Sequence, residues 1–403
     1  MVKEKYENNK IVVPGFLASG IHSGIKKDKA KDIALIYSET EAAAAAVFTQ
    51  NRVKAAPVLL SMERAKKHLC QAIIVNSGNA NACTGEAGLN DAYSIAGLTA
   101  QELKINEDQV IVASTGVIGK RLPVETISRN IPQLVEGLDP NGILPAAEAI
   151  LTTDTHPKVV LKNIFIGGRE VTICGIAKGA GMIMPNMATM LSFILTDADI
   201  EIESLEKVFK EGIGYSFNCI SVDGETSTND MAVILANGRA KNPTISRGSE
   251  YLEPFKNLLM EVLVELAKMI VKDGEGATKF IEINVVNAMG YDDALKAAFS
   301  VANSNLVKTA FFGEDCNWGR IISAVGASGI NINPEKINIS FEDIMVVKDG
   351  IGKGDEPEGR AQKILDKKEF RVEIDLNCGS SKARVFTCDL SAEYIKINAD
   401  YRN

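Results

Sequence analysis

Two short apolar runs, each emptying into a loop of glycine and small polar residues, constrain this chain more than any other feature. Gln71 to Val75 has the length of a buried strand and runs directly into Asn76-Ser-Gly-Asn-Ala-Asn81. Gln109 to Ala113 does the same and ends at Ser114-Thr115-Gly116-Val117-Ile118-Gly119. Helical patterns follow at Leu89 to Leu103 and Val124 to Leu138. Loops of this kind at strand ends are where α/β proteins collect their functional groups. The pattern therefore predicts a mixed α/β fold with chemistry at the strand ends.

A third apolar run, Met190 to Leu195, is preceded by Lys178-Gly-Ala-Gly-Met-Ile-Met-Pro-Asn-Met-Ala-Thr189. A threonine thus stands at the mouth of a buried strand, with flexible backbone before it and a lysine eleven positions upstream. Such a threonine can be an N-terminal nucleophile made by cleavage of the Ala188-Thr189 bond, its freed amine serving as base for its own hydroxyl. The glycines permit the strained backbone that an acyl shift needs. The plainer reading is a β-branched residue opening a strand.

The other candidates have plain alternatives of the same kind. Thr115-Gly116 offers a hydroxyl and an unobstructed N–H for an oxyanion hole, or is an ordinary strand-to-loop turn. Lys178 is a charge partner for a reacting centre, or a solvated strand end. Glu275, between two glycines, is a partner for an ammonium, or a surface turn. Gly352-Lys353-Gly354 lacks the spacing of a phosphate loop, and Asp349 to Gly359 is predicted to be a mobile surface loop. Trp318 reads as a packing anchor or a pocket wall.

Among the remaining elements, strands are predicted at Ile33 to Tyr37, Met231 to Ala236 and Phe280 to Val286, and helices at Ile202 to Gly212 and Glu250 to Lys272. Asn163 to Ile166 with Glu170 to Ile176 reads as a hairpin, as does Val372 to Leu376 with Ala383 to Cys388. The style changes near residue 280, which suggests domains at 1–280 and 281–403. A net charge of -8 disfavours a nucleic-acid binder. No run approaches the roughly 18 apolar residues of a membrane span. The charged start, without an apolar stretch, and seven scattered cysteines with no C-x-x-C point to a reduced, cytoplasmic protein. Three distant histidines give no support to a metal site.

Read as a set, the motifs resemble one family over nearly the whole chain. They are G-F-x-A-x-G-x-x-x-G-I-K (15–26), V-N-S-G-N-A-N-A-C-T-G (75–85), A-S-T-G-V-I-G (113–119), T-T-D-T (152–155), K-G-A-G-M-I-x-P-N-M-A-T-M-L (178–191), D-G-E-G-A-T-K (273–279), G-E-D-x-N-W-G-R (313–320) and Y-I-K-I-N-A-x-Y (394–401). The combination resembles the ornithine acetyltransferases, the glutamate N-acetyltransferases of the cyclic arginine pathway. The resemblance implies a layered α/β sandwich of the self-processing aminopeptidase type with a smaller C-terminal α/β domain.

It also implies cleavage between Ala188 and Thr189 into an α chain, 1–188, and a β chain, 189–403. Thr189 then matches the nucleophile, and Thr115 and Gly116 the oxyanion pair. Thr152, Lys178, Thr189, Glu275 and Asn398 match substrate-contacting positions. The family's last residue is a Thr or Ser that contacts substrate; here it is Asn403, which differs in reach. The implied reaction moves an acetyl group from N2-acetyl-L-ornithine to L-glutamate through an acetyl-threonine ester. No metal or cofactor is implied; acetyl-CoA is a second donor substrate in some members. The implied assembly is a heterotetramer of two α and two β chains. An amidase or aminopeptidase of the same architecture, with water as acceptor, is the alternative enzyme. An uncleaved protein that binds acetylated amino acids is the non-enzymatic one.

Overall fold

The computed structural model describes residues 10–184 and 190–400. Ala188, Thr189 and Asn403 lie outside the described residues, so the cleavage site, the nucleophile and the terminal contact are approached through their neighbours. Among the described residues the strands form two sheets. The first contains β1 (Phe16–Ile21), β2 (Ile33–Phe48), β3 (Leu69–Asn79), β4 (Val110–Val117), β5 (Lys158–Ile166), β6 (Arg169–Lys178) and β7 (Leu191–Thr196). The short β8 (Ile220–Ser221) leaves for the second sheet, and β9 (Met231–Ala236) returns to the first.

The main path of the first sheet runs β4-β3-β2-β9-β7-β6-β5, with β1 paired to β2. Strand β2 organises it. The predicted strand at Ile33 to Tyr37 continues through the alanine-rich run to Phe48, with a register shift between Tyr37 and Ala42. Its first part pairs with β1 and β3, and Ala43 to Phe48 pair with β9. The sheet folds on itself there. Ile36, Ile73, Val75 and Ile111 from one half pack with Ile176, Phe193, Leu195 and Val233 from the other in one inner core. The outer face of the first half, with Leu35, Ile74 and Val112, is covered by the helices Gly85–Leu103 and Val124–Glu136. The outer face of the second half, with Ile173, Ile194 and Ile234, is covered by Ile202–Tyr215 and Leu252–Lys272. Strands β7 and β9 are buried on both faces, which is why they read as unbroken apolar runs rather than alternating ones. The result is a helix–sheet–sheet–helix sandwich.

The second sheet adds β10 (Phe280–Ala288), β11 (Asn338–Phe341), β12 (Ile344–Lys348), β13 (Ile351–Gly352), β14 (Glu369–Asp375) and β15 (Ser381–Cys388). Their order is β13-β12-β11-β14-β10-β15-β8. Two expectations are corrected here. β14 and β15 are not a hairpin; β10 lies between them, parallel to β14 and antiparallel to β15. Its alternating Ile281, Ile283 and Val285 are fully buried, so it takes a neighbour on each edge and helices on its face. The segment 349–359 is not a loop throughout. Ile351 and Gly352 pair with β12, and Asp355 begins a helix that runs to Leu365. Trp318 sets this arrangement: its indole Nε1 donates to Glu358 Oε1 at 2.8 Å, and a Cβ on Gly352 would lie 2.5 Å from its ring. Trp318 is thus a packing anchor. The final described helix, Ala392–Asp400, leaves this unit and packs back toward the first sheet through Asn398 and Tyr394. Among the described residues, no helix is long and apolar enough to cross a membrane.

Candidate active site

Strand pairing gathers the predicted residues. β6 and β7 are antiparallel with Lys178 opposite Leu191, so the lysine lies beside the second residue after Thr189. β3 and β4 are parallel and place Thr115 and Gly116 opposite Ser77 and Gly78. Gly116 has φ of +129°, and a Cβ there would lie 2.4 Å from the Gly78 carbonyl carbon. Only glycine lets the two strand ends approach this closely. Lys178 Nζ donates to Thr115 Oγ1 at 3.1 Å, which ties the ends of β6 and β4 together. Because the ammonium can only donate, the Thr115 hydroxyl accepts from it and keeps its own proton free for an oxygen in the cavity.

Thr115, Gly116, Thr152, Lys178, Glu275 and Asn398 all line one cavity, with Met190 and Leu191 at its wall. The sequence suggested a solvated lysine and a surface turn as plain alternatives for Lys178 and Glu275. Both side chains are instead buried, each 9% exposed. Asn398 Nδ2 donates to Glu275 Oε2 at 2.8 Å, and the Glu275 amide donates to Ala180 O at 2.9 Å. The following Gly276 has φ of +68°, and a Cβ there would sit 2.5 Å from the Tyr394 nitrogen. The terminal helix can approach Glu275 only because that position is glycine.

Behind the cavity lies a buried ionic assembly that the sequence reading did not identify. Lys158 is fully buried and contacts Asp154 Oδ1 at 2.7 Å and Asp273 Oδ2 at 2.6 Å. Asp154 also accepts from the Gly179 amide at 2.6 Å and the Thr152 amide at 3.1 Å. Burial alone would raise the Asp154 pKa, but Lys158, Lys178 and these hydrogen bonds override it and hold the carboxyl below the usual carboxylate range. Burial lowers the Lys178 pKa; Asp154 opposes that shift and Lys158 reinforces it. Its carboxylates carry a sequence signal, since Asp154 lies within T-T-D-T and Asp273 opens D-G-E-G, while Lys158 resembles any lysine at a strand start.

The run Ser221 to Asp230 forms the remaining wall, contributing Ser227, Thr228, Asn229 and Asp230. Asn229 Nδ2 donates to Ala80 O at 2.6 Å and to Ser114 O at 2.9 Å, joining this wall to the β3 and β4 loops. Asp223 accepts from the amides of Met182 at 2.6 Å and Ile183 at 2.8 Å. Met182 has a left-handed φ of 57°, unusual for a residue with a side chain. The backbone entering the segment before Ala188 is therefore held in a costly conformation by a carboxylate. Tyr394, on the terminal helix, donates to the same Asp223 at 3.2 Å. Together the groups offer hydrogen-bond donors and a cation toward an oxyanion, and a carboxylate toward an ammonium. That set suits acyl transfer to or from an amino acid.

Comparison with known proteins gives the same direction. A family model described as the ArgJ family matches residues 17–403. An arginine biosynthesis bifunctional protein ArgJ from Geobacter sulfurreducens is 53% identical over 390 residues, covering 97% of this chain and 99% of the relative. The protein of that name from Caldanaerobacter subterraneus is 50% identical over 400 residues, covering 98% and 99%. A solved structure of the same-named protein from Bacillus halodurans is 46% identical over 44% of this chain and 92% of its own, with a TM-score of 0.42. With a family model spanning all but the first residues and relatives at half identity end to end, the chain belongs to the ArgJ family.

Proposed function

We propose that this chain cuts itself between Ala188 and Thr189 and then transfers acetyl groups from N2-acetyl-L-ornithine to L-glutamate, with Thr189 as the acyl carrier. The observation that carries the reading is the convergence of Thr115, Gly116, Thr152, Lys178, Glu275 and Asn398 on one cavity at the start of β7. In the transfer, Thr189 Oγ attacks the acetyl carbonyl and gives its proton to its own α-amine. The oxyanion is met by the Thr115 hydroxyl and the Gly116 amide. The tetrahedral intermediate collapses, the C–N bond breaks, and ornithine leaves with that proton. The amine of glutamate then attacks the acetyl-threonine ester, and Thr189 Oγ recovers a proton as N-acetylglutamate departs. Lys178 supports the charge that builds on oxygen, and Glu275 with Asn398 holds the ammonium of an amino-acid substrate. Acetyl-CoA is a further donor in this reading, and two α and two β chains form the assembly.

Two measurements test the proposal. On a denaturing gel the purified protein runs as two pieces matching 1–188 and 189–403, and Thr189→Ala runs as one. A wild-type protein that stays a single chain on prolonged incubation would refute the self-cleavage step. N-acetylornithine supplied with and without glutamate yields N-acetylglutamate only with it; release of acetate at the same rate in both cases would make the enzyme a hydrolase.

A further inference from the structure

The acetyl-transfer steps leave Asp230 without a role, yet its place in the sheet is distinctive. In the parallel pairing of β7 with β9, Leu191 stands opposite Met231, and the Met231 amide donates to Met190 O at 3.1 Å. Asp230 is therefore level with Met190, the residue that follows Thr189. Its own carbonyl accepts from the Thr49 amide at 3.0 Å, so its backbone is also tethered to the residue that follows β2. The side chain is 3% exposed and lines the cavity. Among the described residues its Oδ2 is buried with no hydrogen-bond partner. A buried carboxylate oxygen left without a hydrogen-bond partner is unfavourable.

The charges around it are unbalanced. Lys178 at the end of β6 and Lys158 at the start of β5 face Asp154, Asp273, Glu275 and Asp230. Lys158 is taken up by Asp154 and Asp273, which His156 also approaches at 3.2 Å from Asp273 Oδ1. Lys26, farther round, is held by the carbonyls of Lys31 and Leu151 beside Asp32. Lys178 remains, hydrogen-bonded to Thr115 and drawn on first by Asp154, then by Asp230 and Glu275. Burial pushes the Asp230 carboxyl well above the usual range, and the Ser227 hydroxyl, Lys178 and the Ser227 and Met190 amides offset this only in part. With all four carboxyls ionised the site lacks two positive charges, the number of groups that the reaction would bring: the substrate ammonium at Glu275 and the amine freed at residue 189.

We infer that Asp230 receives the α-ammonium released at Thr189 by self-cleavage and holds it in place as the base for acetyl transfer. The inference rests on the self-cleavage reading above. In that step Thr189 Oγ attacks the Ala188 carbonyl carbon, the C–N bond breaks, and the Thr189 nitrogen takes up the proton lost by Oγ. Water then hydrolyses the ester, leaving a carboxylate on Ala188 and an ammonium on Thr189. That ammonium belongs to the residue before Met190, with which Asp230 is level, and would give the unpartnered Oδ2 a cation to pair with. The pairing favours the cleaved product and aims the amine. It also makes the amine hold its proton more firmly, so the carboxylate sets the pH at which the amine becomes free to act as a base.

The test compares wild type, Asp230→Asn, Asp230→Glu and Thr189→Ala as full-length chains. Circular dichroism checks folding, a denaturing gel follows cleavage, and the cleaved fraction is assayed for acetyl transfer across pH. Asp230→Asn is expected to cleave at least about tenfold more slowly, with the acid limb of its transfer profile moved down by about one pH unit. Asp230→Glu is expected to recover part of both properties. Where Asp230→Asn stays uncleaved, faster cleavage of Asp230→Glu supports the assignment, and failure of both folded variants overturns it. An acid limb unmoved in cleaved Asp230→Asn also overturns it. So does an unfolded Asp230→Asn beside an intact Asp230→Glu, which would make the carboxylate structural. Cutting in Thr189→Ala would instead sink the self-cleavage reading itself, whatever Asp230 does.

Discussion

The two sides of the cavity treat buried charge in opposite ways. On one side Lys158 lies between Asp154 and Asp273, and these carboxylates also take the amides of Thr152, Thr155 and Gly179. On the other side Asp230 keeps a buried oxygen without a partner among the described residues. The difference separates support from reaction. The matched side fixes three pieces of backbone relative to one another: the Thr152 loop, the end of β6 and the turn that carries Glu275. The unmatched side holds charge in reserve for a group that arrives with the chemistry.

The sharpest break comes from Thr189→Ala. It is expected to leave a folded, uncut chain with acetyl transfer reduced by at least about 10⁴-fold, since the nucleophile and its amine disappear together. Mass spectrometry and the transfer assay measure it. Next is the support side. In the uncut Thr189→Ala background, Lys158→Met should cost about 3–5 kcal/mol in denaturant unfolding, because two buried carboxylates lose their cation. Asp154→Asn should likewise destabilise at neutral pH. The folded protein holds the Asp154 carboxyl below the ordinary aspartate value of 3.8, so its contribution is present above that pH and is lost on acidification. The gap between Asp154→Asn and its parent should therefore shrink as the pH falls below that value.

Thr115→Ala should lower kcat by about 10²-fold, near 3 kcal/mol of barrier, with a smaller change in KM, as expected when one oxyanion donor is lost. The smallest effect has the opposite sign. In the same uncut background Asp230→Asn should raise stability by about 1–2 kcal/mol, because it removes a buried carboxyl whose Oδ2 has no partner among the described residues. The folded chain holds the Asp230 pKa above the ordinary aspartate value of 3.8. Its cost to stability therefore grows as pH rises above that value, and the advantage of asparagine should widen from acid to neutral pH. A destabilising Asp230→Asn at neutral pH would erase the contrast between the two sides.

Much of this architecture was legible in the sequence because it depends on local pattern. The runs at Gln71, Gln109, Met190 and Met231 read as strands because apolar stretches of that length, bounded by glycine and polar loops, have few other uses. The motifs named Thr115, Gly116, Thr152, Lys178, Glu275 and Asn398, and strand order together with two loops and the Ala392–Asp400 helix brought them together. The rest depended on partners distant along the chain. The placement of β10 between β14 and β15 follows from which edges remain free, and local turn signals pointed instead to a hairpin. The strand at Ile351 and the helix from Asp355 are held by Trp318, more than thirty residues away. Lys158 and Asp230 look solvated in isolation; their burial becomes apparent only when β5 and β9 are set among their neighbours.

The measurement that bears most directly on the central claim follows the acetyl group. Cleaved protein is given N-acetylornithine carrying an isotopically labelled acetyl group, with and without glutamate, and the label is traced by mass spectrometry. The account predicts label on the 189–403 chain at Thr189 when glutamate is absent, and its passage to N-acetylglutamate, one for each ornithine released, when glutamate is added. Label released as free acetate at a rate indifferent to glutamate, or label never found on Thr189, would contradict it.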